Sequence, residues 1–186
     1  LLFATLLTPE RCVLRNVPAH LGRIAEVLAT TAHVGAATRL FAREASTVLP
    51  FDRVEFALRL GEADEVVIVA SGDSRPLPDL PLVSVAGTEL GRVLRGELPH
   101  AYASARRQLE SDMGSGQPTA ALVVPLRVAG RIFGCLTLLA AGADAFTRAD
   151  IALAQQLADV LAPHLELLRR ASMSTPPVAP GWRRRP

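Results

Sequence analysis

Apolar residues recur at three- and four-residue intervals over residues 21–49. Leu21, Ile24, Leu28, Thr31, Val34, Thr38, Phe41, Ala45 and Val48 trace one face. That spacing predicts an amphipathic helix, with Gly35 marking a bend between two helices and Pro50 a stop. From Phe51 the period falls to two. In FDRVEFALRL, Val54, Phe56, Leu58 and Leu60 alternate with Arg53, Glu55, Ala57 and Arg59, the pattern of a half-buried strand. A turn at 61–64 leads to a returning strand at 65–70, EVVIVA. SGDSRPLPDLP has the composition of a loop, and 82–85 of a short strand.

TELGRVLR, residues 88–95, predicts a short helix ended by Gly96. Residues 98–103 form a further candidate strand, and 105–113 a weakly helical or irregular segment closed by Gly114-Ser115-Gly116. Two longer apolar runs, 120–128 and 131–140, flank Ala129-Gly130. A two-residue hairpin joins them naturally, with Gly130 supplying a positive φ. Thr147-Arg148-Ala149-Asp150 resembles a capping box with Asp in place of Glu. It opens a helix to about residue 170, with Ile151, Leu153, Ala154, Leu157, Val160, Leu161, Leu165 and Leu168 along one broad stripe. Pro163 predicts a kink or one unpaired carbonyl, and Arg169-Arg170 suit the negative end of the helix dipole. Strands joined by short turns imply an antiparallel sheet with helices on its faces, an α+β fold.

Composition narrows the class. The 186 residues suffice for one domain with tails, and 49% hydrophobic against 20% charged residues excludes wholesale disorder. The net charge is +2 and dispersed, which speaks against a broad nucleic-acid footprint. All basic side chains are arginine, as a GC-rich coding bias would produce. Cys12 and Cys135 form neither a CxxC nor a His/Cys cluster, which argues against structural zinc and disulfides and for a reducing, cytosolic setting. Residues 1–7 are far shorter than the ~20 of a spanning helix. Residues 1–20 read as a docking segment or the end of a truncated upstream helix. Residues 171–186, ASMSTPPVAPGWRRRP, read as a Pro/Arg-rich tail or linker.

The run VVPLRVAGRIFGCLTLLA followed by AFTRADIALAQQLADVLAPHLE resembles the C-terminal half of a GAF domain. The shared parts are the Val-Pro-Leu strand, the Gly-bearing hairpin, the Gly-x-Leu strand, Phe-Thr-x-x-Asp and the closing Leu/Ala helix. TELGRVLRGELPHAYAS is similar to the family's segment of small helix and strand, and the resemblance spans about residues 21–170. It implies an antiparallel sheet of five or six strands with helices on both faces. The long N- and C-terminal helices would pack together and often dimerise. It also implies a pocket that in this family holds a cyclic nucleotide, haem, bilin, amino acid, another small molecule, or nothing.

The residues select among these ligands. Cyclic-nucleotide binders of the family carry Asn-Lys, then Phe-x-x-x-Asp-Glu. Here Phe146 and Asp150 match, Ile151 replaces the Glu, and no Asn-Lys pair precedes, so Phe146 and Asp150 read as a helix-start staple and cap. Neither cysteine is followed by the His that bilin attachment favours. Two cysteines also cannot supply the three of the free-methionine-sulfoxide-reductase branch. Of His20, His33, His100 and His164, only His100 falls at the expected pocket wall, and lone histidines are more often surface or hydrogen-bonded residues than ligands. No nucleophile–base pair or phosphate loop stands out, so no enzyme is implied. Ser104, Arg106 and Arg107 beside Tyr102 form a candidate anion clamp, or simply a solvated Arg-Arg turn.

The pocket candidates are therefore Leu90, Val93, His100, Tyr102, Ser104, Arg106 and Met113, and the dimer-helix candidates Leu28, Phe41, Leu157, Leu161 and Leu165. No cofactor is named and no metal expected. The leading expectation is a regulatory GAF-like sensory domain of a signalling or transcription-control protein. It would bind an unidentified small molecule and act through its terminal helices in a homodimer or a larger complex. The alternative is a non-catalytic structural subunit with a vestigial pocket, docking through its terminal segments. Nucleic acid is not an expected partner, and peripheral membrane contact through the termini is left open.

Overall fold

A computed structural model describes Gly22, Thr31 and residues 33–61, 64–104, 120–142 and 144–174, and the structural statements below concern these. The helical periodicity before Pro50 forms α1 (Val34–Ala45). The alternating segments form β1 (Arg53–Arg59), β2 (Glu65–Ala70) and, after a 3-10 turn at Leu77–Asp79, β3 (Leu82–Ser84). Next come α2 (Glu89–Leu94), β4 (Ala101–Ser104), β5 (Ala120–Val128), β6 (Arg131–Ala140) and α3 (Arg148–Ser174). The six strands make one sheet in the order β3-β2-β1-β6-β5-β4, antiparallel at every pairing.

Four expectations shift. The predicted 21–49 helix is interrupted: Thr31 and His33 are not helical, and α1 begins at Val34, so the break precedes Gly35. Gly35 lies buried in the first turn, where an added Cβ would collide with the backbone carbonyl of Asp73. It marks a close contact between α1 and the loop after β2, not a bend. The strand expected from residue 98 starts at Ala101. The last helix extends to Ser174 and is unbroken at Pro163. Pro163 and Asp159 are both exposed, so water can satisfy the carbonyl left without a donor.

The largest shift concerns β1. It is buried from Val54 to Leu58, not on alternate residues, because it is central in the sheet and both faces are covered. On the first face Val54, Phe56 and Leu58 join Val67, Val69, Leu122, Val124, Leu136 and Leu138 beneath α1 and α3. Phe41 of α1 meets Phe56 with ring centroids 5.8 Å apart, fastening the helix to the sheet. The two helices also touch each other: Thr31 Oγ1, just before α1, lies 3.3 Å from His164 Nε2. On the second face Ala57, Val66, Val85, Val93, Leu94, Ala101, Val123 and Cys135 form a smaller cluster under α2. Small side chains such as Ala57 and Cys135 fit there because that covering is thin.

Local chemistry sets the element ends. The Thr147 backbone N–H donates to Asp150 Oδ2 (2.8 Å) and the Asp150 N–H donates to Thr147 Oγ1 (3.2 Å), a reciprocal capping box at the start of α3. Pro125 sits in β5 beyond the end of its pairing with β4 at Val123, where an absent N–H breaks no bond on that side. At the β5–β6 hairpin Ala129 has φ 50° and Gly130 φ 79°, the signs of a type I′ turn. An alanine is strained there, whereas asparagine tolerates the left-handed region. Ala129→Asn is expected to raise the unfolding free energy by about 0.5–1 kcal/mol, measured as a higher midpoint in urea with an unchanged slope.

Candidate functional site

The second face carries the segment that the sequence singles out. Thr88 caps α2, its Oγ1 accepting from the Gly91 N–H at 3.0 Å. A chain of charges anchors the helix to the β1–β2 turn. Asp64 pairs with Arg59 (3.6 Å) and Arg95 (2.8 Å), and Glu97 with Arg95 (2.6 Å) and Arg92 (3.5 Å). The hydrogen bond from Arg95 holds the Glu97 carboxyl below its ordinary pKa. Beneath α2, Leu90, Ile68, Leu98 and Ile132 are partly buried at the margin of the second cluster. They form an apolar rim around the fully buried Val93 and Cys135. Burial pushes the Cys135 thiol far above its usual range, so it is a small hydrophobe and not a thiolate nucleophile.

The candidate pocket residues divide between the two faces. Leu90 and Val93 lie together on the second face, and His100 is half-buried just before β4. Tyr102 is on the first face, its ring set edge-on to Phe146 with centroids 6.2 Å apart, and is 37% exposed. The backbone of Ser104 ends β4 opposite Ala120. Arg106 and Met113 lie outside the described residues, as do Arg107 and Cys12. Among the described residues no three His, Cys, Asp or Glu side chains gather as a metal-ligand set. Nor is any described helix long and apolar enough to cross a membrane.

The dimer-helix candidates are placed differently from expectation. Phe41, Leu157, Leu161 and Leu165 are almost wholly buried in the chain's own core, and Leu28 lies outside the described residues. The stripe in α3 faces the sheet, so those side chains cannot present themselves to a second molecule. Of the large apolar side chains that α3 exposes, Leu167 is the most exposed, at 64%, ahead of Met173 at 47%. Leu167 lies in line with Val160, Pro163 and Ala171, which are half-buried or exposed. Their three- and four-residue spacing is present in the sequence beside a stronger apolar stripe.

A groove of about 410 Å³ opens where the far end of β1, the β5–β6 hairpin and the last turns of α3 meet. Buried Glu166 is its hub: Arg169 donates to it at 2.6 and 3.1 Å and Arg170 at 2.6 Å. Burial alone would raise the Glu166 pKa, but the hydrogen bonds from Arg169 and Arg170 outweigh it and hold the carboxyl below its ordinary value. Glu166→Gln should cost about 2 kcal/mol at neutral pH, less than a sealed ion pair because the groove is open to water. A lowered carboxylate pKa stabilises fully above the unfolded value, about 4.3, and its contribution disappears as pH falls through the folded value. The difference between wild type and variant in urea unfolding should therefore be largest near neutrality and shrink on acidification below the unfolded value.

A single sheet between two unequal helical layers, with a capped short helix on the thinner side, defines an α+β domain. The chain belongs to the GAF domain family, whose profile matches residues 33–165. Solved structures share the fold at low identity. The GAF domain from a phosphoenolpyruvate-protein phosphotransferase of Coxiella burnetii is 18% identical (TM-score 0.67), covering 85% of this chain and 97% of that one. The free methionine-R-sulfoxide reductase of Neisseria meningitidis, solved with its substrate, is 20% identical (TM-score 0.62), covering 81% and 89%. Residues 122 to 287 of a methyl-accepting chemotaxis protein are 15% identical (TM-score 0.61), covering 80% and 98%. No curated protein matches the sequence.

Proposed function

We propose that this chain is a regulatory, sensory domain of a signalling or transcription-control protein. It binds a small molecule on the second face, around Leu90 and the rim under α2, and acts through α3. The observation that supports this is the unequal covering of the sheet: α1 and α3 cover one face, and the six-residue α2 covers part of the other. Of the similar structures, the chemotaxis-protein segment supports the sensory role, while the phosphotransferase and the reductase carry the names of enzymes. The reading assigns no catalytic step, in keeping with the buried, protonated Cys135.

In this reading α3 pairs with a second copy through Leu167, Val160 and Ala171. Sedimentation velocity checks this: wild type should be a dimer, and Leu167→Glu a folded monomer. A monomeric wild type at high concentration rejects the pairing. A second reading, an interaction subunit with a vestigial pocket, draws on the completely buried Val93 and Cys135, which fill part of the second face from within. A thermal-shift screen across a metabolite panel separates the two. A ligand at 100 times its Kd adds about 2.7 kcal/mol to folding, whereas a self-filled face gives no shift.

A further inference from the structure

The groove at the hairpin end is lined mainly by residues on the α3 side of the sheet and shares Ile132 with the α2 rim, but its charged chemistry is separate from the function proposed above. It is built by a β-bulge. Leu126 opposes Gly134 but Arg127 opposes Ile132, so Phe133 is the extra residue in β6. The bulge turns Phe133 away from the second face, where Ile132 packs, and into the first-face core. Phe133 then forms an apolar wall of the groove beside Val128, with Arg131 lining it too. Arg169 lies over the Phe133 ring, its guanidinium carbon 6.0 Å from the centroid.

The charges in the groove do not balance. Arg169 is fully engaged: Nε and Nη2 donate to Glu166, and Nη1 donates to the Arg59 carbonyl at 2.8 Å. Arg170 gives Nε to the same carboxylate and is otherwise turned to water, its side chain 66% exposed. Arg131 is exposed and has no ion-pair partner among the described residues. Arg59 is matched by Asp64. Arg131, Arg169 and Arg170 against Glu166 thus leave two positive charges beside an aromatic and aliphatic wall.

We propose that this groove binds a small dianion with an apolar body, of which an aryl phosphate monoester is the simplest type. Such a phosphate carries about two negative charges at neutral pH, matching the excess. Guanidinium forks on Arg131 and Arg170 would hold its oxygens, and Phe133 and Val128 would receive the body. The volume, about 410 Å³, falls within the range of small-molecule sites. Because two of the arginines sit on α3 and the third on β6, the occupant would brace the end of the terminal helix against the hairpin.

Isothermal titration of the full 186-residue chain with phenyl phosphate, inorganic phosphate and phenol tests this. Phenyl phosphate should bind at one per chain, more tightly than inorganic phosphate and more weakly as salt rises, and phenol should not bind. Arg131→Ala and Arg170→Ala should each weaken phenyl phosphate about tenfold; Arg131→Ala should leave the melting temperature unchanged, whereas Arg170→Ala should lower it slightly because it removes a donor to buried Glu166. Arg39→Ala, exposed on α1, should leave binding unchanged. No saturable binding, equal affinity for inorganic phosphate, or wild-type affinity in both arginine variants would overturn the assignment. None of these outcomes bears on ligand binding under α2.

Discussion

Leu161→Ala is expected to lower the unfolding free energy by about 3–4 kcal/mol. Leu161 has no exposed surface and lies in the middle of α3, beneath which the sheet supplies Leu122, Val124, Leu136 and Leu138. Truncation removes its apolar contacts and leaves a void that two facing layers of secondary structure cannot close. Leu167→Ala, less than two turns further along the same helix and 64% exposed, should change stability by less than about 0.5 kcal/mol. Urea denaturation of both variants distinguishes a helix that packs on its own sheet from one whose apolar stripe awaits a partner. Near-equal small effects would mean that α3 does not seat on the sheet as described.

Gly35→Ala is the second large effect, expected at about 2–3 kcal/mol of destabilisation. In an exposed helix interior the same change would be stabilising by about 1 kcal/mol, because alanine has less backbone entropy to lose. Here the new methyl meets the backbone carbonyl of Asp73, which cannot rotate away as a flexible side chain could. Asp73 is itself fixed: its carboxylate accepts from Arg75 Nε and Nη2 at 3.1 and 2.9 Å, and its N–H donates to the Ala70 carbonyl at 3.0 Å. Either α1 lifts from β2 or the loop after β2 moves, and both expose first-face core. Thermal unfolding reads the sign directly: a lower melting temperature supports the close approach, and a higher one contradicts it.

The parts of the fold that were readable from sequence are those where one strong local signal decides. The runs at 120–128 and 131–140 are long and uniformly apolar and are punctuated by Ala129-Gly130. The Thr147–Asp150 box then sets the start of α3. Periodicity shows which side of a helix is apolar, but not whether that side meets its own sheet or a second chain. For that reason Leu157, Leu161 and Leu165 resemble dimer residues in the sequence, although they are buried against the sheet. Burial of β1 on both faces was hidden because Ala57 is small and Glu55, paired with Arg53 at 2.6 Å, is charged, so the second face looked like solvent.

The groove was less legible still. Its Phe133 faces α3 only because of a bulge, and a one-residue slip in strand register leaves no mark in a continuous apolar run. The Glu166–Arg169–Arg170 cluster has readable three- and four-residue spacing. By sequence alone, the two arginines suit only the negative end of the helix dipole. Leu90 and Val93 were placed together because a capped short helix fixes them, whereas Tyr102 falls on the opposite face by strand alternation from Ala101.

The central claim is that this GAF domain binds a small molecule under α2. Native mass spectrometry of the purified protein, run beside the same protein after denaturation, tests it most directly. The account predicts a species heavier than the chain by one small-molecule mass, lost on denaturation and reduced by Leu90→Arg, which places a charge at the rim of the second face while leaving the groove at Arg131 intact. A native mass equal to that of the bare chain, both before and after incubation with every ligand of the metabolite panel, would contradict it.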